Sequence, residues 1–204
     1  MFDIDASTPI ARLLLAHGAG ADMHSDFMQQ MASELAQRGI SVRLFNFPYM
    51  VKREQDGKKR PPDRFPVLQD SFNQQIERCE SDVPLFIGGK SMGGRVATTI
   101  LQQADTVRAC ICLGYPFHPP GKPEKLRTEH LVEMAKPVLI VQGERDTFGN
   151  QQEIADYVLS ETIKYAFCRD GDHSLKPRKS SGLSHDDNIT FAADHIAQFV
   201  REQI

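Results

Sequence analysis

The sequence predicts an α/β domain with a mostly parallel central sheet of about six strands and helices on both faces. Three observations carry that prediction. Short apolar runs alternate with helical patterns six times along the chain. Several runs are apolar almost throughout, as strands covered on both faces are, rather than alternating with polar residues. Glycine- or proline-marked loops separate the runs from the helical stretches. With 204 residues the chain has the length of one domain, and residues 1–204 are read as a single one.

The elements follow in order. Arg12–Ala16 is the first strand. Asp26–Arg38 is the first helix, because Met28, Met31 and Leu35 recur at 3-to-4 spacing and Gly39 supplies a stop. Val42–Phe47 is the second strand. Met50–Pro66 holds Lys52, Arg53, Lys58, Lys59 and Arg60, then Pro61 and Pro62, and reads as a solvated loop rather than a lid. It is no domain linker, since the same pattern continues on both sides. Val67–Glu80 is helical, Leu85–Ile87 is the third strand, and Gly93–Gln103 is the helix after it. Ala109–Leu113 then pairs with a helix at Glu124–Met134, Val138–Val141 with Asn150–Leu159, and Ile163–Phe167 with Asp187–Gln203. Strand, helix and parallel strand in succession imply right-handed crossovers.

Composition narrows the function. Hydrophobic residues make up 40% and charged residues 25%, the balance of an ordinary globular protein, which excludes a fibrous repeat, a disordered tail or a membrane bundle. The net charge of −3, from 24 basic and 27 acidic residues, argues against a duplex nucleic-acid binder. Cys79, Cys110, Cys112 and Cys168 form no CxxC pair and no zinc spacing with histidine, so no metal or other cofactor is expected. They read as reduced thiols in a cytoplasmic protein. The early apolar run Leu13–Ala16 is too short for a signal peptide, and no stretch approaches the ~18 apolar residues of a membrane span. A monomer or homodimer is expected.

The third strand runs into Gly88-Gly89-Lys90-Ser91-Met92-Gly93-Gly94-Arg95. Gly89, Ser91 and Gly93 make a Gly-x-Ser-x-Gly pattern between an apolar strand and a helix. Such a turn exposes the serine Oγ, and side chains two residues either side of it would clash. The Met92 N–H, at the start of the following helix, points where an oxyanion would form. The first strand ends in His17-Gly18-Ala19-Gly20, and the Ala19 N–H is the candidate second donor. His17 itself is expected to pack or hydrogen-bond within the loop.

A serine hydroxyl needs a base, and the base needs an acid to orient it. Asp146 follows the fifth strand and His173 the sixth, so both lie at the sheet edge that carries Ser91. Asp172 is too close to His173 in sequence to reach its ring, and Glu144 is expected to point away. His118, His185 and His195 fall in a proline-rich loop, a polar loop and a helix.

These residues resemble the α/β-hydrolase superfamily across nearly the whole chain. More narrowly, the chain resembles a small uncapped family near the dienelactone hydrolases, whose relatives include testis-expressed proteins and a subunit of a nuclear histone-acetyltransferase complex. Besides the segments above, the likeness runs through Leu113–Pro116, Pro119–Lys122, Gln142–Asp146 and Gly171–Leu175. It implies a serine hydrolase with Ser91, Asp146 and His173 as triad. The chain departs from the wider superfamily in two ways. It starts with what is usually the third strand, so the first two antiparallel strands are expected to be absent. No cap is inserted after Leu113. The dienelactone hydrolases proper use a cysteine nucleophile where this chain has Ser91.

Loops after strands gather over such a site. Lys52–Arg64, Lys122–Glu129 and Lys176–Lys179 together hold twelve basic and five acidic residues, so a basic rim is expected around the mouth. Lys122 and Lys176, with Tyr115, are the candidate substrate contacts. The expected partner is a small-molecule carboxylic ester or thioester, drawn by that rim if it is anionic. Two other readings keep the fold: a non-catalytic interaction module, and a peptidase or amidase.

Overall fold

The computed structural model describes residues 1–204. One seven-stranded sheet runs through it. Its strands are β1 (Phe2–Ile4), β2 (Ala11–Ala16), β3 (Ile40–Phe45), β4 (Leu85–Lys90), β5 (Val107–Leu113), β6 (Val138–Gly143) and β7 (Ile163–Cys168). Across the sheet they lie in the order β1-β3-β2-β4-β5-β6-β7. All neighbours are parallel except β1, which runs antiparallel to β3.

The apolar runs have the cause anticipated for them. In β2, Leu13 and Leu15 point into one core layer while Leu14 and Ala16 point into the other. The first layer packs against α1 (Asp26–Ala36) and α6 (His185–Arg201). The second packs against α2 (Pro48–Asp56), α3 (Phe65–Glu77), α4 (Met92–Ile100) and α5 (Gln151–Ala155). A sheet buried on both faces needs no polar alternation. Cys110 and Cys112 share the second layer, and all four cysteines are free thiols.

Three expectations need correction. The sheet has seven strands, because a short antiparallel strand precedes the first apolar run. β1 is mostly exposed and carries little apolar signal; ion pairs from Arg43 and Arg12 to Asp3 help hold it. Met50–Pro66 is not a loop throughout, since α2 extends to Asp56. Pro48 at its first turn and Gly57 in the left-handed conformation (φ 70°) bound it. Glu124–Met134 is not a helix beyond one short turn at Glu129–Leu131. There the backbone is drawn away to the preceding loop, with the Arg127 N–H donating to the Phe117 carbonyl.

No helix is long and apolar enough to cross a membrane.

Candidate active site

β4 delivers Ser91 at the carboxyl edge of the sheet. The residue sits at φ 52° and ψ −113°, a conformation that costs a non-glycine residue of order 1–3 kcal/mol and persists only where the surroundings impose it. Here its N–H donates to the Leu113 carbonyl at 2.9 Å, and its carbonyl accepts the Arg95 N–H at 3.0 Å. Crowding explains the flanking glycines. A Cβ on Gly89 would stand 2.4 Å from the Gly93 carbonyl carbon, and one on Gly93 would stand 2.6 Å from the His17 oxygen.

β2 ends at Ala16, in register with Gly89, so the His17–Gly20 loop leaves the sheet beside Ser91. His17 is fully buried and fixes that loop. Its Nδ1–H donates to the Gly18 carbonyl at 2.7 Å, and its Nε2 accepts the Phe47 N–H at 3.1 Å. Burial lowers its pKa, which favours this neutral, single-tautomer state. The Tyr49 hydroxyl, on α2, donates to the Ala19 carbonyl at 3.2 Å. The Ala19 N–H is left without an acceptor in the chain. Met92 opens α4, so its N–H has no partner in that helix's own ladder.

β6 and β7 end in register, Gly143 beside Cys168, and their loops therefore emerge together. This brings three distant residues into a row. His173 Nε2 lies 2.8 Å from Ser91 Oγ, and His173 Nδ1 lies 2.8 Å from Asp146 Oδ2. Asp146 is fully buried. Its carboxylate accepts the Phe148 N–H at 2.8 Å and the Gln142 Nε2 amide at 2.9 Å. With Nδ1–H donating to Asp146, Nε2 is left as acceptor for the serine hydroxyl. The Phe148 ring stacks on the imidazole, with centroids 4.1 Å apart.

The loop bearing His173 is tied at both ends. The Asp170 carboxylate accepts the Arg178 N–H at 2.8 Å and its guanidinium, which hold its pKa down at about 2. Arg145 Nε donates to the Asp170 carbonyl at 2.9 Å. Glu144 points away from the histidine, as expected, and accepts the Asp170 N–H at 2.7 Å. Asp172 accepts the N–H groups of Ser174 and Lys176 and serves its own turn.

In front of Ser91 lies a cavity of about 370 Å³. Gly18–Ala21, Phe27, Met28 and Phe148 give it a largely apolar wall, and Lys90, Ser91 and His173 are its reactive or charged members. Of the other candidate contacts, Lys122 and Lys176 are exposed and lie outside this cavity. Tyr115 is a correction: its ring is fully buried beside Phe117, and its hydroxyl donates to the Arg127 carbonyl at 2.9 Å. His185 and His195 lie elsewhere; His195 Nδ1 bonds its own helix at Phe191. No group of three or more His, Cys, Asp and Glu side chains is placed to hold a metal.

Sequence reasoning missed Gln142, Phe148 and the pocket side of Lys90. Gln142 and Lys90 lie inside recognised motif segments, but a motif does not tell which of its residues turn inward. For Phe148 the sequence carried no signal.

A mostly parallel seven-stranded sheet with a serine on the strand-to-helix turn of β4 defines a class, and comparison with known proteins places the chain in it. The alpha/beta hydrolase domain profile matches residues 9–201. The chain belongs to the alpha/beta hydrolase family. In sequence it is similar to mouse monoglyceride lipase, 25% identical over 104 residues, a match that covers 50% of this chain and 33% of the lipase. In fold it is similar to dienelactone hydrolase from Anabaena variabilis, with TM-score 0.68 and 19% identity over 98% of this chain and 88% of the other. The esterase domain of a Rhodothermus marinus protein superposes equally well, with TM-score 0.68 and 16% identity over 98% and 91% of the two chains.

Proposed function

We propose that the chain is a serine hydrolase acting on a small carboxylic ester or thioester. The observation that carries this reading is the unbroken hydrogen-bonded row from Ser91 through His173 to Asp146. Ser91 Oγ attacks the acyl carbon while His173 Nε2 takes its proton. The Met92 and Ala19 N–H groups receive the oxyanion. The bond to the leaving oxygen or sulfur breaks, and His173 returns the proton to it as the alcohol or thiol departs. Water then attacks the acyl-serine, His173 takes and returns its proton, and the acid leaves with Ser91 restored. Asp146 keeps the imidazole in the required tautomer and stabilises its charged form. The family's hydrolase character and the esterase-like neighbours support the same chemistry.

Treatment with a fluorophosphonate probe, with the label located by mass spectrometry, tests the reading. Labelling is expected at Ser91 and is expected to vanish in Ser91→Ala and His173→Ala. Loss of either group in a triad lowers kcat by up to about 10⁶-fold. Folded protein that takes no label overturns the proposal. Activity on 4-nitrophenyl acetate with none on peptide amides would exclude the amidase reading.

A further inference from the structure

The cavity before Ser91 is largely apolar, yet a lysine is among its lining residues. Lys90 precedes the nucleophile and lines the cavity together with Phe27, whose ring its side chain approaches. One of its three N–H donors goes to the His173 carbonyl. The face of the Phe27 ring lies 5.6 Å from Nζ. It forms no ion pair; Asp146 and Asp172 act on it only through space. The basic residues of the surrounding loops are placed differently: Arg178 is engaged by Asp170 and Arg60 by Asp56, while Lys122 and Lys176 lie outside the cavity.

Such a cation is costly. Desolvation pushes the Lys90 ammonium down to about 8, so the free pocket holds its charge at a disadvantage. Strapping the His173 loop needs only a donor, and a neutral amide would make that bond without bringing a charge to the pocket. An anion reaching Nζ would find two unengaged N–H donors, the Phe27 ring beside them and no competing carboxylate in contact. A buried charge paired and hydrogen-bonded in this way changes from a cost to a recognition element.

We propose that Lys90 is the specificity-determining residue of the pocket and that the preferred substrate is a small ester carrying a carboxylate, which its ammonium binds. The proposal rests on the serine-hydrolase reading and deepens it. It moves the source of anion preference from the exposed rim to one residue beside the nucleophile.

Matched ester pairs test it. Mono-4-nitrophenyl glutarate differs from 4-nitrophenyl butyrate by a terminal carboxylate on the acyl side. 4-Acetoxybenzoate differs from phenyl acetate by a carboxylate on the leaving side. The quantity read is the ratio of kcat/KM for the anionic ester to that for its neutral partner, which cancels general damage to the triad. The wild-type ratio is expected to be at least tenfold above unity for one pair. In Lys90→Met it is expected to fall to unity or below, and in Lys90→Arg to stay above the Lys90→Met value. A wild-type ratio at or below unity for both pairs overturns the proposal. So does a ratio unchanged by Lys90→Met, which would make Lys90 a strap for the His173 loop only. Fluorophosphonate labelling of Ser91 in the same preparations separates this failure from failure of the hydrolase reading, which would remove labelling and all ester turnover together.

Discussion

Gln142 decides how Asp146 faces His173. Its side-chain oxygen accepts the Tyr115 N–H at 2.7 Å, and the two hydrogens of its amide are shared among the Tyr115 carbonyl, the Gly149 carbonyl and Asp146 Oδ2. It therefore clamps the loop after β5, the loop after β6 and the buried acid to one another. Gln142→Leu, of similar volume, would leave those buried groups unpaired, at a cost of roughly 1–3 kcal/mol for each uncompensated group. The expected result is a tenfold or greater fall in kcat on 4-nitrophenyl acetate with a smaller change in KM, and a lowered Tm. Gln142→Glu would place a second carboxylate beside Asp146 and is expected to be worse than Gln142→Leu in activity. At this scale the sequence was most legible where chemistry restricts the choice of residue. A serine between glycines, an acid and a histidine after successive strands leave few alternatives. Tyr115 was misplaced because Gly114, at φ 64°, turns the chain so that the next ring enters the core rather than the mouth.

At the scale of elements, the segment 170–178 behaves as a latch. Asp170 and Leu175 both adopt positive φ, at 51° and 64°, and the Asp170–Arg178 pair closes the segment. Asp170 has its pKa lowered from the ordinary 3.8 to about 2 by Arg178. A carboxyl depressed in the folded state binds its proton first in the unfolded chain. Its contribution is therefore present above about pH 4 and lost as pH falls toward 2. Asp170→Asn is expected to melt below the wild type at pH 7. The difference should close between about pH 4 and pH 2 when Tm is followed across that range. Elements themselves were legible in proportion to their burial. The six runs flanked by helices were visible because most of their residues are apolar on both faces, with Arg12, Arg43 and the exposed Lys164 as exceptions. β1 was not, because its residues are mostly exposed and its pairing depends on side chains far along the chain. The stretch 124–134 has helical spacing, but its backbone hydrogen bonds are claimed by other loops, which propensity does not register. α2 did carry its own signals, Pro48 and Gly57, and the lysine-rich composition around it hid them.

For the whole molecule, two core layers of 27 and 25 buried residues sandwich the sheet, and the reactive groups ride on its carboxyl edge. The parallel class was legible because such a sheet must be apolar on both sides. Which side of the edge is hollow was not, since the cavity depends on how the loops after β2, β4 and β7 meet. Its volume of about 370 Å³ lies at the lower end of ligand-pocket sizes, about 300–1,000 Å³. Turnover of 4-nitrophenyl esters is therefore expected to peak at acyl chains of about two to four carbons. By eight carbons kcat/KM is expected to fall at least tenfold. A profile rising to long chains would mean that the cavity opens beyond this shape.

The row from Asp146 to Ser91 has a consequence for how the molecule comes apart. Ser91 and His173 are 82 positions apart, and His173 and Asp146 are 27 apart. The last strand and its loop must be seated before the reacting groups meet, and α6 packs into the same core layer as β2, β3 and β4. Local opening of the loop that carries His173, with α6 still seated, would thus silence the chemistry while the sheet stays intact. Catalytic competence is a property of the finished chain, and its loss under stress would come before collapse of the fold.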